Sequence, residues 1–430
     1  MKIEARVLLS ALALLAMMFL AACGGGYNCQ VTFGSSTCTP SGGGVTLGGG
    51  GGGGGGGGNG IAAFVFAVDT TNAAIDGYTL NTTAGTLALT NGYLAPTIPT
   101  NSGGVGMVVA QEQFLYVGFG ITDQIYGWTI SSTGTLTAIS GSPFSAPYLS
   151  NYVGTVGQAE MITNPLGTML FVSDTSQGEI YAYTIGSGGV LAAATGSPFS
   201  LPSGFLPMNL TTDGLGNYLY AINGNSTTHT GSEIAAFAIS GGVLTPVVGS
   251  PFAFPMWQVE GDPTGQFLIG TSGKTVFYDG TDDDNLYVFN ITPSGASAGA
   301  LTQIAVVPTV YSPFSIATQS NSGGNLVYSF GFNDTDTGFN PIEGYSINST
   351  TGALQVLSGS PFSEVGDGSW GQFDQSGDFL MVYSSYLNPS TDTVATQLAP
   401  LDLSSAGALT QPVATLTLVT PGFWVVTDPN

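Results

Sequence analysis

Chemistry in this chain has to be done with few reactive side chains. The sequence holds one histidine, His229, and three cations, Lys2, Arg6 and Lys274, against 26 acids in 430 residues. Hydrolysis of an ester or lactone needs a base or a metal to activate water and a donor to hold the oxyanion. His229 lies in Asn225-Ser226-Thr227-Thr228-His229-Thr230-Gly231, a polar loop that reads as solvated, and Glu233 orients it only if that loop folds back. No motif marks a nucleophile, so Ser-His-Asp and Cys-His catalysis are not expected. Acids gather instead. Asp279, Asp282, Asp283 and Asp284 stand in Tyr-Asp-Gly-Thr-Asp-Asp-Asp-Asn, and Asp334 and Asp336 in Asn-Asp-Thr-Asp-Thr-Gly. Asp-x-Asp-x-Gly is a fragment of a calcium loop that lacks the distant bidentate glutamate. Asp282, Asp283, Asp284, Asp334 and Asp336 are therefore candidate Ca²⁺ ligands, and the alternative is a solvated acidic rim. Asp123, Asp174, Glu179, Glu233, Glu343 and Asp392 fall in loops of the same class.

Charge narrows the partners. The formal charge is −23, and without residues 1–22, which hold Lys2, Arg6 and Glu4, Lys274 stands against 25 acids. One cationic side chain cannot neutralise a run of phosphates, so nucleic acid and phosphorylated substrates are not expected partners. Cations are favoured ones, although surface acids also keep an exported protein soluble. A monomer is expected.

The N-terminus supplies an address. A basic start, Lys2 and Arg6, precedes an apolar stretch from Val7 to Ala22, which is short for a membrane span and suits a signal peptide. It ends in Leu20-Ala21-Ala22-Cys23, which resembles the lipobox of bacterial lipoproteins. The resemblance implies a diacylglycerol on the Cys23 thiol, removal of residues 1–22, and a cell-envelope protein held on the extracytoplasmic side. Gly24, where an aspartate would resemble an inner-membrane retention signal, points to the outer membrane in a host that has one. Cys29 and Cys38 form an even pair in an oxidising compartment, and a disulfide is expected between them. The stretch from Ser41 to Gly60 is mostly glycine, unbroken from Gly48 to Gly58. Such a tract is a flexible tether with a reach of about 5–6 Å times the square root of its length. Residues 1–22 thus read as signal peptide, 23–59 as acylated tether and 60–430 as the folded part.

That part is built by repetition. Val, Ile, Thr, Tyr and Phe recur in short runs between Gly, Asn, Asp, Ser and Pro clusters, with no helical periodicity, so the class is all-β. Gly-Ser-Pro-Phe occurs at Gly141–Phe144, Gly196–Phe199, Gly249–Phe252 and Gly359–Phe362, with a degenerate copy at Tyr311–Phe314. A turn such as Thr133-Gly134-Thr135-Leu136 precedes the motif. Strands of Leu-Tyr-Val type (Phe114–Val117, Leu170–Val172, Tyr218–Ile222, Phe267–Ile269, Leu326–Tyr328, Phe379–Val382) alternate with strands such as Ile125–Ile130, Ile180–Ile185 and Ile234–Ile239. Four strands in about 53 residues make one propeller blade, and residues 60–430 hold seven. The chain ends at Phe423–Pro429 on what looks like a first strand, whereas Gly60–Asp69 begins with a second. The C-terminal strand is expected to complete the N-terminal blade and remove an open sheet edge.

These motifs resemble the seven-bladed lactonase-like propellers of the 6-phosphogluconolactonase type, across residues 60–430. The resemblance implies lactone hydrolysis, and for a sugar-phosphate substrate a clamp of Arg, Lys or His. This chain departs from that pattern, with no Arg after Arg6. Aligning the first strand of each blade puts Glu160, Asn209 and Gln258 in one row, with Trp370 and Trp424 in the same row of the seventh blade and the latch strand. Indoles facing amides and a carboxylate across a channel mouth would suit a neutral sugar or lactone. The competing reading has the indoles packed between blades and the polar groups bonded to backbone. Two functions follow: a binding or scaffold protein for an unidentified ligand, or a lactonase-like hydrolase of an unphosphorylated lactone with Glu160 as its candidate base.

The address is open to a direct test. Replacing Cys23 by serine is expected to abolish acylation and move the protein from the membrane fraction to the soluble exported or uncleaved pool. Retention of the Cys23→Ser protein in membranes, with residues 1–22 removed, would overturn the anchor.

Overall fold

The computed structural model describes residues 29–30, 61–69, 74–81, 86–89, 104–119, 122–146, 160–225, 230–272, 284–321, 324–332, 342–362, 367–374, 377–388, 393–410, 416–418 and 423–427. Short β-branched and aromatic runs, each stopped by a Gly- or Asp-containing turn, can only pair with their immediate neighbours, and the result is seven antiparallel sheets in which strand order follows chain order. We number these sheets as blades 1–7 by the position of their second strands. The first strands of blades 2–7 are Gly104–Ala110, Met161–Thr163, Pro207–Thr212, Gln258–Gly261, Ser312–Asn321 and Asp367–Phe373. Blade 1 consists of Ile61–Asp69, Ala74–Asn81 and Thr86–Leu89, and its first strand is Phe423–Thr427 from the other end of the chain. Each first strand touches the first strands of the two adjacent blades, and the series closes where Asp367–Phe373 meets Phe423–Thr427 and that strand meets Gly104–Ala110. The first strands therefore ring the axis of a seven-bladed propeller.

Closure is made as the sequence leads one to expect. Phe423–Thr427 lies antiparallel to Ile61–Asp69 with Phe64 opposite Thr427 and Ala67 opposite Trp424. Cys29–Gln30 adds a two-residue strand to its other edge, with Cys29 opposite Trp424. Cys23, Cys38 and the glycine tract lie outside the described residues.

The core lies between blades rather than within them. Second strands such as Phe114–Phe119 and Met169–Asp174 are buried at every residue, so both faces of the sheet need cover. One apolar cluster joins Val108 and Tyr116 of blade 2 to Leu170 and Tyr183 of blade 3, and others join each next pair round to blades 6 and 7. Polar bonds tie the same seams. Tyr116, Tyr220 and Tyr328 occupy one position in blades 2, 4 and 6, and each hydroxyl donates to a carbonyl in the next blade: Gly189, Gly299 and Gly407, at 2.6, 3.1 and 2.7 Å. The acceptors belong to the Gly-x-Leu turns seen in the sequence. Gly189 has φ of 77°, and a Cβ there would stand 2.5 Å from Ile139 and 2.6 Å from Phe114 of blade 2. Only glycine lets the turn seat against its neighbour.

Gly-Ser-Pro-Phe is a closing device for the outer edge. In blades 2, 3, 4 and 6 the serine hydroxyl accepts a third-strand N–H, from Gly127, Ala182, Ala236 and Gly344, at 2.8–3.0 Å. The phenylalanine then pairs with an isoleucine of the third strand, as Phe199 does with Ile180 and Phe252 with Ile234. The Ser-Pro peptide is cis in all four. Tyr311–Phe314, taken from sequence as a degenerate copy, is a different object. Ser312 and Pro313 sit in the first strand of blade 6, opposite Phe332 and Gly331. Blade 5 ends instead in a long fourth strand, Leu301–Pro308, which covers the whole third strand and leaves no N–H for a serine to take.

Because each blade is covered by both neighbours, opening the ring should be costly. Deleting residues 421–430 is expected to remove most of the stability, read as loss of a single cooperative denaturant transition. An unchanged midpoint in the truncated chain would count against closure by this strand.

Candidate binding site on the propeller axis

Two ends of the axis differ in what builds them. At the end where first strands begin stand Glu160, Asn209 and Gln258. Their rows agree: Asn209 faces Ile222 and Gln258 faces Thr271, while Glu160 accepts the Ser173 N–H at 3.0 Å through its backbone carbonyl. All three side chains are buried and reach into the next blade. Glu160 Oε2 accepts the Leu210 N–H, and its Oε1 accepts the Asn209 amide at 3.5 Å. Asn209 Oδ1 accepts the Val259 N–H at 3.4 Å. Gln258 is bidentate on Ile316, accepting its N–H at 3.1 Å and donating to its carbonyl at 3.3 Å. The three residues form a belt of side-chain clamps from blade 3 to blade 6. Trp370, opposite Tyr383, keeps the row of Glu160. Trp424 stands one rung out of it, because it faces Ala67 while Val68 is the residue opposite the row-setting Ile75. The indole side chains lie outside the described residues.

The strands that flank the acidic segments end on this side, at Thr271 and Asn285 in blade 5 and at Phe332 and Ile342 in blade 6. Asp279, Asp282, Asp283, Asp334, Asp336 and His229 lie outside the described residues. Asp284 is exposed and its Oδ1 accepts the Ser312 hydroxyl at 2.6 Å. Glu343, read from sequence as a loop acid, is instead a buried residue of the strand Ile342–Ile347, accepting the Val310 and Tyr311 N–H groups and the Tyr345 hydroxyl at 2.8, 3.0 and 2.6 Å. Asp174 is buried as well, and its Oδ1 accepts the Ser176 and Gln177 N–H groups in a turn. Among the described residues, no three His, Cys, Asp or Glu side chains are grouped to hold a metal ion.

At the opposite end, where first strands turn into second strands, the turns of blades 3, 4, 5 and 7 are organised by a side-chain acceptor. Asn164 accepts the Thr168 and Met169 N–H groups at 2.8 and 2.9 Å. Asp213 does the same for Tyr218 and Leu215 at 2.7 and 3.3 Å, Asp262 for Phe267, Gln266 and Thr264 at 2.7–3.1 Å, and Asp374 for Phe379 at 2.8 Å. Burial raises the Asp213 pKa above its usual 3.8, and the turn N–H groups of Tyr218, Asn217 and Leu215 oppose that in part. Between these turns opens a cavity of about 150 Å³, walled by Thr211, Asp213, Glu260, Thr318, Phe373 and Asp374 among others. Sequence reasoning passed over these residues. Their one signal is the Asp-x-x-Gly turn, which reads as turn chemistry and carries no hint that four such turns surround a hollow.

The class defined by the ring, the latch and the four-stranded repeat is the seven-bladed β-propeller. No protein-family model matches the sequence, and no curated protein is similar to it in sequence. In shape the chain is similar to candidate 6-phosphogluconolactonases from Bacteroides fragilis (TM-score 0.57, 14% identity, 86% of this chain and 99% of that one) and Bacteroides uniformis (0.56, 14%, 85% and 99%). It is similar too to the periplasmic gluconolactonase of Pseudomonas aeruginosa (TM-score 0.54, 13% identity, 86% of this chain and 100% of that one). The resemblance read from the repeat is borne out at the level of fold.

Asp213 offers a pH test. Its folded pKa is raised, so the folded state holds a proton more tightly than the unfolded chain. Stability should then fall as pH rises from near 3.8 through the raised value, and the deficit persists at neutral pH. Asp213→Asn keeps the Oδ1 acceptor, as Asn164 does in blade 3, and is expected to raise the denaturant midpoint at pH 7 with the gain vanishing below about pH 4. A gain independent of pH would refute the electrostatic origin.

Proposed function

We propose that this chain is a lipid-anchored extracytoplasmic propeller acting as a binding or scaffold protein, tied to the membrane through Cys23 and its glycine-rich leash. The observation that carries this reading is the engagement of Glu160. A general base needs a lone pair directed at the water it activates. Both oxygens of Glu160 accept hydrogen bonds, from the Leu210 N–H and the Asn209 amide. The neighbouring amides Asn209 and Gln258 are engaged in the same way on Val259 and Ile316. The sequence adds that Lys274 is its single cation after Arg6, so a phosphate would find little positive charge to hold it.

The lactonase reading draws on the fold shared with the Pseudomonas aeruginosa gluconolactonase. At 13% identity a shared fold supports a way of building the ring and leaves the chemistry to the site. The two readings part on turnover. The purified full chain is expected to open glucono-1,5-lactone no faster than buffer alone at pH 6.5–7.5, followed by proton release. Release above the buffer rate that Glu160→Gln abolishes, with the variant still folded, would replace the binding reading by the hydrolase.

A further inference from the structure

Where the axial belt of clamps lapses, the chain itself returns. The row of Glu160, Asn209 and Gln258 continues as Trp370 in blade 7 and, one residue before Trp424, as Phe423 in blade 1. An indole N–H only donates and a phenyl ring offers no acceptor, so these two residues cannot take a neighbour's N–H as the first three do. On this stretch of the axis the inner edge of Phe423–Thr427 is met by Cys29–Gln30, which also touches the first strand of blade 7. The N-terminal segment thus supplies backbone where side chains stop supplying acceptors.

That docking fixes a length and a direction. Cys23 stands six residues before Cys29, and six residues reach at most about 20 Å. The glycine tract adds nothing to this span, because it lies between Gln30 and Ile61 and both belong to the sheet of blade 1. Phe423–Thr427 runs from the Glu160 end toward the turn end, and Cys29–Gln30 lies antiparallel to it, so the chain comes to Cys29 from the turn side. The strand covers about 10 Å from Trp424 to Thr427. About 10 Å of the span is then left for the lipid to clear the turn end.

The turn end is also the one suited to meet lipid. Leu166 and Leu215, 69% and 57% exposed, crown the turns of the adjacent blades 3 and 4. The other exposed residues of these turns, Pro165, Thr168 and Asn217, carry no charge, and Asp213 is fully buried on the N–H groups of its own turn. Glu112 and Asp378 stand half-buried in the turns of blades 2 and 7, which confines the uncharged patch to one side of the ring. Acids collect at the other end, where the strands that flank Asp279, Asp282, Asp283, Asp334 and Asp336 terminate. Like charge keeps that end from an anionic headgroup layer, whereas apolar tips gain by entering one.

We propose that the turn end of the axis faces the bilayer, held within about 20 Å of it by residues 23–29, with Leu166 and Leu215 seated at the boundary of headgroups and acyl chains. The inference rests on the lipid anchor proposed above and shortens its leash to a strap, so that the Glu160 end is presented outward.

The test uses the full acylated chain in phosphatidylcholine vesicles whose acyl chains carry bromine, a contact quencher of indole fluorescence. Leu166→Trp and Leu215→Trp are each expected to lose most of their added fluorescence in these vesicles and none in unbrominated ones. Both sites are exposed, and either variant alone suffices if the other fails to fold. Val310→Trp, at a site 66% exposed beside the first strand of blade 6 at the Glu160 end, is expected to lose none. Inserting Gly-Ser repeats between Gly26 and Tyr27 to double the strap should relieve the quenching, and deleting Gly48–Gly58 should leave it unchanged. Quenching of Val310→Trp as strong as that of the two leucine sites would overturn the orientation, as would no quenching at any site. Sensitivity to the glycine deletion and not to the insertion would return the leash to the glycine tract and overturn the strap. A wild-type chain that does not float with the vesicles would sink the anchor reading itself, a result distinct from either.

Discussion

A blade whose second strand is buried on both faces cannot stand alone, and everything else in this molecule answers to that constraint. Covering both faces requires a neighbour on each side, and the only arrangement without an uncovered end is a ring. The ring then creates its own difficulty at the centre. The first strands of blades 2–7 each have one edge paired within the blade and one edge turned toward the axis, where no further strand meets their N–H groups. An unbonded buried N–H costs about 1–3 kcal/mol. Glu160, Asn209 and Gln258 meet that demand for Leu210, Val259 and Ile316, each reaching from one blade to the backbone of the next. Polar residues on the axis are thus part of how the ring closes, before any question of ligand arises.

The outer edge is solved by other means. A fourth strand too short to cover the third leaves an N–H exposed, and the serine of Gly-Ser-Pro-Phe takes it while the phenylalanine resumes the pairing. Blade 5 shows the rule by exception: with Leu301–Pro308 running the length of its partner, the motif is unnecessary, and Ser312-Pro313 passes into the next first strand. Repetition in the sequence therefore marks a recurring backbone deficit. That is why the blade count and the latch could be read from it, and why Tyr311–Phe314, which matches the letters without the deficit, misled.

Register shows the same limit. Glu160, Asn209, Gln258 and Trp370 fall in one row because each is followed, after a turn of fixed length, by the strand that sets its position. Trp424 is followed by no such strand. Its partner, Ile61–Asp69, lies at the other end of the chain, and nothing local fixes how far the latch slides along it; the structure puts it one residue from the expected row. The cavity escaped notice for a related reason. Its aspartates each look like turn residues, and they are, so what they share with Glu260 is visible only when the first strands of five blades are stacked.

Those turns contain a comparison made within one chain. Asn164, Asp213, Asp262 and Asp374 do the same work, accepting the N–H groups that begin the second strand at 2.7–2.9 Å. Asn164 does it without charge, so the turn does not need a carboxylate. At Asp213 burial opposes the charge and raises the pKa, in a protein already carrying −23. Repulsion among like charges and desolvation both argue for asparagine at these positions on grounds of stability alone. Asp213 and Asp374 line the axial hollow, while Asn164 and Asp262 do not. Asp262 keeps a carboxylate where only its turn is served, so the acid at these positions follows from turn chemistry, and the hollow between the turns inherits two of the carboxylates.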